Sequence, residues 1–276
     1  MKHILRASIL TGYNYMDLSI GLIKQETIMR TANPALNAKT FKNLPAVAGI
    51  DQAMTIQGTV NKTVVMLLLL VVTASWTWSM FYSSGNPAVV FPWMIGGAIG
   101  GFIVAMFTVF KKHWSGITAP IYAMFEGLFL GGISAVFESM YPGIVMQAVA
   151  LTFGTLFGLL FAYKSGLIKV TENFKLGVVA ATGGIALVYV ASFILGMFGV
   201  NMPFIHESGL IGIGFSLFVV VIAALNLVLD FDFIENGAKA GAPKFMEWYA
   251  AFGLMVTLIW LYIEILRLLV KLNSRD

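Results

Sequence analysis

Glu126, Asn226, Asp230, Asp232, Glu247 and Glu264 are the side chains of this sequence that need a chemical explanation, because each falls in or beside a long apolar stretch. A charged side chain at mid-membrane costs on the order of 2.5–3.5 kcal/mol on insertion scales, so an acid placed there needs a partner or a purpose. Grouped carboxylates attract cations, and protonation removes that attraction. The chemistry on offer is therefore proton-dependent cation handling. Its competitor is a neutral acid hydrogen-bonded between helices, since low dielectric disfavours the charged form.

Spacing sorts these residues. Asn226 and Asp230 are four apart and share a helix face, whereas Asp232 is turned by about 200° from Asp230 at 3.6 residues per turn. Glu264 has Arg267 three residues on, an ion-pair spacing, and both side chains are long enough to snorkel towards headgroups. Thr257 lies seven residues before Glu264, on the same face. Catalysis finds no support. Intramembrane aspartyl proteolysis needs two aspartates converging from different helices to share a proton, and Asp230 and Asp232 lie on one helix facing apart. No cysteine is present, and no HExxH. His113 sits in a basic loop and His206 beside Glu207, without metal spacing. The expectation is a non-enzyme with no cofactor.

These residues are carried by elements of unusual composition. Of 276 residues, 59% are hydrophobic and 11% charged, against about a quarter charged in soluble proteins. The mean hydropathy is +0.87. It comes from seven blocks, each long enough for a hydrocarbon core that takes roughly 20 helical residues: 64–82, 88–110, 118–137, 143–163, 176–200, 209–229 and 245–270. Turn-forming or charged segments separate them. The expected fold is an all-α integral membrane protein, a seven-helix bundle, with a polar N-terminal segment at 1–62 and the membrane domain at 63–276.

Lys and Arg set the orientation, because positive residues flanking spans stay on the cytoplasmic side. Arg30, Lys39, Lys42 and Lys62 precede the first span; Lys111, Lys112, Lys164, Lys169, Lys175, Lys239 and Lys244 follow the second, fourth and sixth. The loops after the first, third and fifth spans carry none. The N-terminus is expected inside and the C-terminus outside, with Arg267, Lys271 and Arg275 as a contrary signal. The pI near 9.2 reflects this scatter of basic span ends, and nucleic-acid binding is not expected. Trp76, Trp78, Trp93, Trp114 and Trp248 read as interfacial anchors. Small residues every fourth position, Ala119 to Ala135 in the third span and Ala150, Gly154, Gly158 and Ala162 in the fourth, read as close-packing faces, as do Gly96, Gly97, Gly100 and Gly101.

Depth arithmetic at about 1.5 Å per residue puts Glu126 roughly 12 Å inside the cytoplasmic face. It places Asp230 near that interface, with Asn226 about 6 Å deeper. Glu247 opens the last span, about 25 Å along the helix from Glu264. A cytoplasmic-half group of Glu126, Asn226, Asp230 and Glu247, joined by Asp232 at the end of the sixth span, is the expected ion pathway or pH-sensing site, with Glu264 and Arg267 as a separate outer pair.

The segment EGLFLGGISAVFE, the YPGIV turn and the long C-terminal run LNLVLDFDFIENGAKAGAPKFMEWYAAFGLMVTLIWLYIEILRLL resemble the Bax inhibitor family, in its bacterial YccA-like branch, over about Met29 to Asn273. The MRTANPALN texture from Met29 agrees with Met29 as a native start, 1–28 then being an upstream extension. The resemblance implies a seven-helix fold in the bacterial cytoplasmic membrane and a pH-dependent leak with calcium as the transported ion. It also implies, for the bacterial branch, restraint of a membrane-anchored ATP-dependent protease, here through membrane helices and the N-terminal segment. In calcium-conducting members an aspartate at the exit of span six pairs with one in span seven. Asp230 matches the first. The stretch GLMVTLIWL holds no acid and offers Thr257 or an apolar neighbour, so Glu126, Glu247 or Glu264 would have to substitute.

Overall fold

The computed structural model describes residues 53–199 and 209–274. The N-terminal residues on which the Met29 reading rests, together with His206, Glu207 and Arg275, lie outside the described residues. Among the described residues seven helices are long and apolar enough to cross a membrane: α1 (Ile56–Ser84), α2 (Pro87–Phe110), α3 (Ser115–Met140), α4 (Ile144–Lys164), α5 (Glu172–Met197), α6 (Leu210–Lys239) and α7 (Met246–Asn273).

Their ends follow local chemistry. Thr55 caps α1 by accepting from the Gly58 amide, and Gly85, at φ 62°, closes the same helix in the left-handed conformation that glycine adopts without strain. Asn86 then caps α2 through the Ala88 amide, with Pro87 in the first turn, where a missing N–H costs nothing. Thr171 caps α5 through the Phe174 amide.

The last helix is the core. Tyr249, Phe252, Met255, Leu258, Leu261 and Ile265 of α7 are buried, and α1, α3, α4 and α6 pack around it. In contrast, α5 packs mainly on α6 and presents Leu187, Phe193 and Met197 outward. Glycines set the closest approaches. A Cβ on Gly127 or Gly131 of α3 would run into the backbone of Leu70 or Ala74 of α1, and one on Gly97 of α2 would stand 2.6 Å from the Phe125 carbonyl oxygen.

Three expectations change. Ala150, Gly154 and Gly158 of α4 are exposed, with open space around both glycines. The helix instead packs through Ile144, Ala148 and Thr152. The first helix begins at Ile56 rather than beyond 62, and Met54 is already docked, its amide donating to the Ala242 carbonyl at 2.6 Å. Finally α6 does not stop at Leu229. It runs on to Lys239, so the acidic segment after it is helix, not loop.

Candidate functional site

That extension decides where Asp230 lies. Counting back from Lys239 at 1.5 Å per residue puts it about 14 Å from the helix end, and its side chain is enclosed by the bundle, at 0% exposure. Asn226, one turn further in, is 1% exposed. Its Nδ2 donates to Thr182 Oγ1 of α5 and to the Ile222 carbonyl, both at 2.9 Å. Leu227, Leu229 and Phe233 are buried beside them. Counting the same distance forward from Met246 reaches Met255, so the Gly253–Thr257 turn of α7 stands level with Asp230. Glu247 and Glu264 are each about 12–14 Å along α7 from that level.

Glu247 is held elsewhere. Fully buried at the start of α7, it accepts from the Thr55 amide at 3.0 Å and the Thr55 hydroxyl at 2.9 Å, and it forms an ion pair with Lys62. Lys62 also lies over the Trp248 ring, 5.5 Å from its centroid. This cage binds the entry of α1 to α7.

Glu126 of α3 sits at the seam with α2. A Cβ on Gly101 would come within 2.8 Å of its Oε1, and Tyr122 stands one turn earlier on the same helix face. Tyr122 packs edge-on against Phe252 of α7, centroids 4.9 Å apart. Asp232 faces away from Asp230, as its rotation requires, and meets Lys175 of α5 at 3.0 Å. Lys175 also meets Glu172 at 3.5 Å while being 1% exposed. One turn on, Glu235 accepts from the Tyr163 hydroxyl of α4 at 2.7 Å and pairs with Lys239 at 2.5 Å.

The expected four-residue group is thus divided. Asp230 and Asn226 stay together in the α6 core, Glu126 lies at the α2–α3 seam and Glu247 at the α1–α7 junction. Among the described residues no three acids or histidines come together as a metal site. Glu264 and Arg267 do pair, at 3.5 Å, but without both snorkelling: Glu264 is 1% exposed, and the Tyr189 hydroxyl of α5 donates to its Oε1 at 2.9 Å. Arg267 in turn donates to Tyr189 at 2.9 Å and stacks over its ring.

With this geometry, a bundle built around its last helix and a buried aspartate on the sixth, the family comparison is direct. The model of the family described as Bax inhibitor 1 like matches residues 26–274. The chain belongs to the Bax inhibitor family. No curated protein and no solved structure matched it.

Several residues of this Bax inhibitor family member matter more than their sequence context suggests. Lys62 and Lys175 look like ordinary span-flanking charges, yet they hold Glu247 and Asp232. The Glu172 to Lys175 spacing of three is the one local signal available for the second pair. Lys271, a mild contrary sign for topology, is buried and donates to the Gly212 carbonyl at 3.0 Å and to Ser216 Oγ at 2.8 Å. It ties the two ends of α6 and α7 together. Tyr163 and Tyr189 carry no pattern that marks them as partners of acids.

Proposed function

We propose that this Bax inhibitor family protein is a proton-controlled cation leak, with calcium as its ion, in the cytoplasmic membrane and with its N-terminus inside. The observation that carries the reading is Asp230, a carboxylate at 0% exposure about 14 Å inside a helix, with the Asn226 amide on the same face. An ionised Asp230 attracts a cation into the bundle; a protonated one does not. Glu126 is the second acid of the pathway, and the Lys and Arg distribution supports the orientation. Asp230 and Asp232 face apart, so the shared-proton pair of aspartyl proteolysis is not formed and no catalytic step is proposed.

In proteoliposomes, calcium entry should fall as the buffer is made acidic, because protonation removes the attracting charge. Asp230→Asn should abolish both the flux and its pH dependence, and Glu126→Gln should reduce it. Absence of flux from acidic to mildly alkaline buffer overturns the reading.

A second reading has its own support. The Thr55 and Lys62 contacts to Glu247 join the N-terminal segment to the core helix, so a partner engaging that segment would act on α7. This suits restraint of a membrane-anchored protease, the role of the YccA-like branch. Deleting residues 1–52 should then raise protease activity in cells, and unchanged activity counts against it.

A further inference from the structure

The helices around α7 leave a gap between α1 and α4. α1 and α4 each pack on α3 and α7 and scarcely touch one another. Between them lies a cavity of about 240 Å³. Leu67 and Val71 of α1 form one wall and Val149 and Phe153 of α4 the other; Leu258 and Ile259 of α7 form the floor. The cavity is lined by the middle of α1 and α7 and by the first half of α4, all within helices long and apolar enough to cross a membrane, and it is open on one side.

Its chemistry selects its occupant. No Asp, Glu, Lys, Arg or His lines it; the residues with polar side-chain groups are Ser75, Trp78, Ser134, Thr152 and Tyr262. Three of these are already satisfied: Ser134 and Tyr262 bond each other at 2.6 Å, and Thr152 donates to the Ala148 carbonyl at 2.7 Å. A buried water needs two to four polar partners, which this wall does not offer. An apolar void left empty is destabilising in proportion to its volume, and the medium outside the opening is hydrocarbon. We infer that the gap between α1 and α4 is a binding site for an acyl chain of a bilayer phospholipid, which enters from the side and rests on α7.

Leu258 and Ile259 are 4% and 7% exposed, so bulk lipid reaches them only through this gap. That makes the floor a specific reporter. The full chain is reconstituted in vesicles containing a phosphatidylcholine with a diazirine in its acyl chain, irradiated and mapped by peptide mass spectrometry. Adducts are expected between Leu258 and Tyr262. Val149→Trp, which fills the cavity, should abolish them, while Val190→Trp on the exposed face of α5 should leave them unchanged. Val149→Phe replaces the larger substitution if that variant fails to fold.

Labelling confined to outward-facing residues of the other helices overturns the inference, as does floor labelling that survives filling of the cavity. A diazirine fatty acid is tested in parallel. Floor labelling by the free acid and not by the phospholipid also overturns it, because the site would then serve a soluble lipophile.

Discussion

The burial of Glu247 has a cost that its three donors offset. Hydrogen bonds to a charged group each contribute about 1.5–3 kcal/mol, and a buried charge that loses its partner is left with its desolvation penalty. Lys62→Met should therefore lower the thermal unfolding temperature in detergent more than Glu247→Gln does, since only the first leaves a carboxylate behind without its cation. Gly58 is the tightest neighbour. A Cβ there would overlap the Glu247 carboxyl, which cannot swing away without giving up Thr55 and Lys62. Gly58→Ala should cost about 1–3 kcal/mol, the usual range for overpacking, in the same measurement.

Between helices, two glycine-rich faces that read alike in sequence behave differently. On α3, Gly127 and Gly131 let the backbone of α1 approach, and Gly131→Ala meets Ala74 main chain that cannot rotate aside. On α4, Gly154 faces open space, and alanine has the higher helix propensity by about 1 kcal/mol. Gly131→Ala should destabilise the bundle by about 1–3 kcal/mol, whereas Gly154→Ala should be neutral or mildly stabilising. Equal effects in thermal unfolding would show that both faces pack. Periodicity of four reports that small residues share a face; it does not report what lies opposite. The same limit separated Glu126 from Asp230. Depth along a span follows from counting residues, but the direction in which a side chain points depends on how the helices rotate against one another.

For the molecule as a whole, the absence of cysteine makes topology directly measurable. Single cysteines at Ser165, after α4, and at Ser83, before the α1–α2 turn, should be labelled by a membrane-impermeant maleimide from opposite sides in intact cells. Ser83→Cys should react from outside and Ser165→Cys only after permeabilisation. The reverse pattern would invert the orientation drawn from the lysines and place Asp230 nearer the outer face.

Seven apolar blocks, most of their turn-forming boundaries and the C-terminal run that marks the Bax inhibitor family were legible in the chain itself. Hydrocarbon thickness sets span length, and capping side chains set helix ends, through interactions that are local in sequence. The end of α6 was not legible. An acidic stretch reads as loop until Lys175 and Tyr163 are seen to meet Asp232 and Glu235, which lets α6 continue to Lys239 with its acids in place. Only the tertiary structure decided that Asp230 is interior, that Glu247 is a clasp on α1, that Glu264 is bonded to Tyr189, and that a cavity remains between α1 and α4. Each depends on contacts between helices distant in the chain, and those contacts are set by helix rotation and packing rather than by the order of residues along any one span.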